Sequence, residues 1–110
     1  MGRSERHALT SALSLILLHL LKWDPQPSRQ SRSWVTSIRT PRSLVEERLD
    51  DSPRPRSQIG GLVARACHRA RLDATGETGV DEDTFPQVCP YSWEAIMTRS
   101  IPWPPADPQA

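Results

Sequence analysis

Cysteine is scarce in this chain. Cys67 and Cys89 are the two among 110 residues, and such a pair permits one disulfide without implying it. Neither belongs to a Cys-x-x-Cys spacing, and His7, His19 and His68 are scattered rather than set four apart. A closed metal site is therefore not expected. Cys67 and His68 are adjacent, so they cannot chelate from one helical face. Lysine is nearly absent: thirteen of the fourteen basic residues are arginine. Two readings fit that skew, a GC-rich coding sequence or guanidinium forks chosen for bidentate phosphate or carboxylate contacts. Apolar residues make up 36%, which is little for a self-sufficient core. The 11 prolines and 25% charged residues push the chain toward irregular structure. At this length there is one domain at most, and no internal repeat. The formal net charge of +1 removes any global polyelectrolyte signal, but the charge is uneven. Residues 1–56 hold ten basic against six acidic side chains, and residues 57–110 hold four against seven.

Catalytic and cofactor chemistry is equally thin. Gly60-Gly61 lacks the Lys-Ser/Thr of a phosphate loop and follows no strand, so no cofactor is expected. A nucleophile made from Cys89 and a distant histidine has nothing to orient it. Cys89, between Val88 and Pro90, reads more simply as an apolar contact anchoring the tail, and Cys67 as a small buried thiol. The carboxylates Glu46, Glu47, Asp50 and Asp51 read as a solvated helix face. No catalytic residue, metal ligand or small-molecule substrate is predicted, and the expectation is a protein that is not an enzyme.

The chain does have one apolar run, Ala8 to Leu21, preceded by Gly2-Arg3-Ser4-Glu5-Arg6. It is shorter than the roughly 20 apolar residues a bilayer crossing needs, so no membrane association is expected. A secretory signal would require a small-x-small cleavage step, and Lys22-Trp23-Asp24-Pro25-Gln26-Pro27 offers none. A secreted peptide precursor is thus the weaker alternative to a cytoplasmic protein. As a helix the run places Leu9, Ala12, Leu13, Ile16, Leu17, Leu20 and Leu21 on one broad face. Ser11, Ser14 and Lys22 fall on the other side, interrupted by Leu15 and Leu18. A face that wide implies packing against more than one neighbour. Trp23-Asp24-Pro25 should end the helix, because a residue before proline resists the α region.

A second helix is predicted from near Ser33, with Trp34, Ile38, Val45 and Leu49 as its apolar stripe. Pro41 interrupts it, giving either a kink costing roughly 3 kcal/mol or a fresh start with Thr40 as N-cap and Pro41 as the first helical residue. Asp50-Asp51-Ser52-Pro53 stops it, and Arg54-Pro55-Arg56 forms a stiff connector. A third helix follows over 57–77, with Ile59, Leu62, Val63, Ala66, Cys67, Ala70 and Ala74 inward. Arg65, Arg69 and Asp73 form an exposed row, and Gly79 is placed as a left-handed cap. After the acidic loop Asp81-Glu82-Asp83 comes an extended stretch from Phe85 to Tyr91. A short helix capped by Ser92 follows, and then a disordered Pro-rich tail over 99–110. The fold class predicted is all-α, a small bundle of three main helices plus a short C-terminal one.

Several short motifs carry a resemblance. Gly2-Arg3-Ser4-Glu5-Arg6-His7-Ala8-Leu9 leads into a leucine-rich helix ending His19-Leu20-Leu21-Lys22-Trp23, then Gln26-Pro27. Ser31-Arg32-Ser33-Trp34 follows, with Ile38 and an ending at Leu49-x2-Ser52-Pro53. Glu77-Thr78-Gly79 closes the Ala/Arg helix, and Phe85-Pro86-x2-Cys89-Pro90-Tyr91 comes last. Over residues 1–98 this order resembles the bacterial family called domain of unknown function 29. The resemblance implies a small all-helical cytosolic protein and no assigned activity. It also implies an N-terminally truncated member, because the family has further helices before the position of Met1, and Pro41 stands where the family continues its helix.

The functional expectation is a non-catalytic protein-interaction module. Its partner would be an unknown protein or a second copy held by the apolar face of the first helix. The alternative is weak nucleic-acid binding through Arg29, Arg32, Arg39, Arg42, Arg54 and Arg56, with Trp34 available for stacking. The competing structural role for these arginines is pairing with Glu46, Glu47, Asp50 and Asp51. A near-neutral chain lies well below the basic pI of a typical nucleic-acid binder.

Overall fold

Helix α1 runs from Arg3 to Trp23 and forms the centre of the molecule. The computed structural model describes residues 2–105. Leu9, Leu13, Ile16, Leu17 and Leu20 are almost entirely removed from water. Leu18, which the pattern put on the polar side, is buried as well. Only Leu15, at 47% exposure, faces solvent among the large apolar side chains of this helix. The cause is placement: α2 (Arg32–Asp51) and α3 (Arg56–Thr78) both pack on α1 rather than on each other. The broad leucine face is thus covered from two sides within one chain. Ser14 and Lys22 are drawn into the same contacts. Ser14 returns its hydroxyl to the Ser11 carbonyl at 2.8 Å, and Lys22 donates to Glu77 of α3 at 3.0 Å. A buried polar group needs such a partner.

The end of α1 differs from the expectation in mechanism. Asp24 keeps right-handed helical dihedrals, and its N–H reaches the Leu20 carbonyl at 3.3 Å. The helix stops because Pro25 has no N–H to offer Leu21, not because Asp24 leaves the α region. A single 3₁₀ turn over Pro27–Arg29 leads to Ser31, whose hydroxyl accepts from the Trp34 N–H and caps α2.

Pro41 also departs from expectation. α2 continues through it without a fresh start, and Thr40 is an ordinary helical residue rather than a cap. Pro41 lies on the buried face with Val35, Ile38 and Val45. Its ring therefore joins the core, which offsets part of the cost of the hydrogen bond lost from the Ser37 carbonyl. On α3 the buried stripe includes Ala66, Ala70 and Ala74. Their small side chains let the backbones of α3 and α1 approach closely, since helix separation follows side-chain size at the contact. Gly79 ends α3 at φ 74°, a left-handed conformation that glycine takes without penalty.

Beyond α3 the chain makes a 3₁₀ turn (Glu82–Thr84), an extended stretch, and the six-residue helix α4 (Trp93–Thr98). Asp81 and Ser92 cap these two elements through the N–H groups of Asp83 and Ala95. Ile96, Met97 and Ile101 are buried in the common core. Residues 99–105 thus continue past the expected domain boundary with Ile101 only 5% exposed. The remainder of the expected disordered tail, 106–110, lies outside the described residues. The described residues form an all-α fold of three long helices and one short one, without strands. Among them, no helix is long and apolar enough to cross a membrane.

Candidate functional site

The arginines singled out by the sequence lie on α2 and the segments flanking it. Arg42, half-buried on α2, donates to three carbonyls: Ile96 at 2.7 Å, Arg99 at 2.9 Å and Ala95 at 3.1 Å. These lie at and just past the C-terminal end of α4, where the Ile96 and Arg99 carbonyls have no backbone donor among the described residues and that of Ala95 also accepts the Arg99 N–H at 3.2 Å. Arg39 donates to the Ile101 carbonyl and Arg32 to that of Pro104, and both guanidinium groups stand 5.5 Å from the Trp103 ring centre. Arg54 is largely buried between Glu5 and Gln58, and Arg56 faces Glu94 at 3.5 Å. Trp34 receives the Lys22 ammonium over its ring at 4.7 Å and the edge of His19. Arg29 is exposed. Arg32, Arg39 and Arg42 therefore act together as a strap on residues 95–104, and Arg29, Arg54 and Arg56 lie apart from them. Glu46, Glu47, Asp50 and Asp51, expected as their partners, are all exposed, and no ion pair among the described residues uses them.

A second set of polar contacts shapes the opposite edge of α4. Asp24, just past α1, accepts from both Arg99 Nη atoms, at 2.6 and 3.1 Å, and from the Tyr91 hydroxyl at 3.0 Å. The Arg99 fork holds the Asp24 carboxyl below its usual range, and burial beside that carboxylate pushes the Tyr91 phenol up. This triad fixes one wall of a half-open groove of about 540 Å³. Leu21, Val80, Phe85, Pro86 and Pro90 supply its apolar surface, with Asp24, Gln26, Thr78, Thr84 and Tyr91 as polar points. The acidic turn 81–83 adjoins it. Arg71, buried on α3, anchors that turn through the Glu82 carbonyl at 3.2 Å and the Glu82 and Asp83 carboxylates, while the Asp83 side chain is 90% exposed. The groove is a built feature: prolines fix its backbone, Arg71 fixes the acidic turn, and Asp24 fixes Tyr91.

Two further features escaped the sequence reading. Arg6, His7, Arg65 and Arg69 line two neighbouring shallow depressions on the α1–α3 side, of about 360 and 220 Å³, that share Arg65. Arg69 is within 3.9 Å of Asp73, whereas Arg6 and Arg65 have no carboxylate partner among the described residues. The i, i+4 row on α3 was visible in the sequence, but its meeting with the start of α1 depends on the helix pairing. The cysteines, 22 positions apart, come together across a cavity of about 290 Å³ lined also by Val63, His68 and Val88. Both are free thiols. Among the described residues, no three His, Cys, Asp or Glu side chains converge as metal ligands would.

No curated protein and no solved structure matches the chain. Residues 1–101 match the model of the family described as Domain of unknown function DUF29, and that span, nearly the whole of the 110-residue chain, shows that the protein belongs to this family.

Proposed function

We propose that this protein is a non-catalytic interaction module of the bacterial cytoplasm, and that its groove holds an extended segment of a protein partner. The observation that carries this reading is the groove itself: an apolar, proline-framed surface left open at the end of an otherwise well-covered core, beside an acidic turn anchored on α3 by Arg71. Proline-fixed walls lose little entropy on binding. Apolar floor and acidic edge together fit a partner segment with an aliphatic or aromatic anchor flanked by Lys or Arg. The surface first expected to bind a second copy, the leucine face of α1, is occupied by α2 and α3, which shifts the reading from self-association to this groove.

Selection from a random peptide library tests it. Enriched peptides should share an apolar anchor next to a basic residue. Val80→Glu, at an exposed groove position, should reduce their affinity tenfold or more. The absence of a shared motif, or binding indifferent to Val80→Glu, would sink the proposal.

The nucleic-acid reading keeps one specific support, and it moves. Arg32, Arg39 and Arg42 are engaged with the chain's own carbonyls, whereas Arg6, Arg65, Arg69 and His7 line two neighbouring depressions in which Arg6 and Arg65 have no carboxylate partner among the described residues. Retention on single-stranded DNA at about 50 mM salt, lost on Arg65→Glu, would support it. No retention at that salt would remove it.

A further inference from the structure

Cys67 sits on the buried face of α3. Cys89 is half-buried in the extended stretch between Pro86 and Pro90, beside the 82% exposed Val88. The two line one cavity, with Cys89 packed against the core cluster that contains Cys67. No interaction in the groove or the arginine strap uses either sulfur. We propose that Cys67 and Cys89 form a reversible oxidation site whose substrate is a hydroperoxide, with Cys89 oxidised first and Cys67 resolving it to an intramolecular disulfide.

The order of events follows from access and charge. Cys67 is 7% exposed and Cys89 is less buried, so Cys89 is the more accessible of the two to a small oxidant. The neighbouring Cys67 thiol, helped by the Tyr91 backbone, outweighs burial in favouring the Cys89 thiolate and lowers its pKa to about 7. The same contact, with burial, raises that of Cys67. The thiolate is the nucleophile in such chemistry. Cys89 attacks a peroxide oxygen, the O–O bond breaks, and water leaves after protonation, giving a sulfenic acid. Cys67 sulfur then attacks the sulfenic sulfur, its proton goes to the departing hydroxyl, and a second water leaves. Two thiols and one hydrogen peroxide give one disulfide and two waters, and the peroxide takes up the two electrons the sulfurs lose. Cys89 lies outside any helix, so its stretch can close the final distance to the roughly 2.0 Å of an S–S bond without breaking α3.

The test uses the full 110-residue chain. It is treated with a few-fold excess of hydrogen peroxide, quenched with catalase, and alkylated with N-ethylmaleimide under denaturing conditions. The expected product resists alkylation at both positions, is lighter by two hydrogens, and yields on trypsin digestion peptide 66–69 linked to peptide 72–99. Dithiothreitol restores both thiols. In Cys67→Ser, Cys89 should be trapped as a sulfenic acid by dimedone. In Cys89→Ser, Cys67 should stay alkylatable at the same dose, with circular dichroism showing that each variant is helical. A linked peptide absent from the oxidised wild type, sulfinic acid at Cys89, or intermolecular dimers as the main product would overturn the proposal. So would equal oxidation of Cys67 when Cys89 is replaced.

Discussion

Arg42 illustrates how a residue's identity can be legible while its role is not. The sequence shows an arginine on a helix. Only the tertiary structure brings it to three carbonyls more than fifty positions away. The Ile96 and Arg99 carbonyls would lack partners without it, and a hydrogen bond to a charged donor contributes more than a neutral one. Arg42→Met should therefore destabilise the fold by about 2–3 kcal/mol in urea denaturation, while exposed Arg29→Ala should stay within about 0.5 kcal/mol of wild type. Arg42→Lys should recover little, because an ammonium cannot reproduce the fork. His19 supplies a second residue-scale expectation. Burial lowers its pKa, while Nδ1–H donates to the Leu15 carbonyl at 2.8 Å and the ring meets Trp34 edge-on. The unfolded chain then binds the proton more readily than the folded one. Stability from this residue is present above the unfolded value of 6.5 and is lost as the pH falls below it. Urea midpoints at pH 7.5 and 5.5 should differ in that direction, and the difference should shrink in His19→Gln.

At the scale of elements, helices with strong periodicity and capping chemistry were readable from sequence, and elements whose limits depend on packing were not. Ser92 and Gly79 were identifiable as caps because their chemistry is local. The extent of α1 beyond Ala8–Leu21 was not, since its first turn carries no apolar signal and no side-chain cap. Residues 99–105 illustrate the same limit. Pro102 and Pro104 read as chain without structure, yet Ile101 fills the core and Trp103 lies against Arg32 and Arg39. Of the site, the acidic turn and the Phe85–Tyr91 stretch were visible, but their assembly with Leu21 and Asp24 into a groove required the α1–α3 pairing. Pro41 gives a prediction at this scale. Alanine there restores an N–H for the Ser37 carbonyl and removes the ring clash, a gain of up to about 3 kcal/mol. Part of that is offset by the apolar ring surface withdrawn from the core, at roughly 0.8 kcal/mol per methylene. Pro41→Ala should be net stabilising by about 1 kcal/mol, seen as a higher urea midpoint with an unchanged m-value.

For the whole molecule, stability converges on α1. α2 and α3 pack on it, α4 touches it, and α2 and α3 make little contact with each other. Neither outer helix has another surface on which to keep its apolar stripe dry if α1 loosens. The molecule should therefore unfold in one cooperative step, and α1 should be far more sensitive on its inward than its outward side. Leu17 is 0% exposed, and truncating it removes apolar contacts and leaves a cavity that a helix held on two sides cannot readily collapse. Leu17→Ala should cost about 3–4 kcal/mol, within the usual range for buried leucine. Leu15→Ala, at the one outward leucine, should cost well under 1 kcal/mol. Small domains hold only about 5–15 kcal/mol in all, so the first substitution should lower the midpoint of a far-UV circular-dichroism melt by more than about 10 °C. Because the leucine face is covered within one chain, that midpoint should not rise with protein concentration. A concentration-dependent melt, or equal effects of Leu17→Ala and Leu15→Ala, would show that α1 finds its cover in a second copy instead.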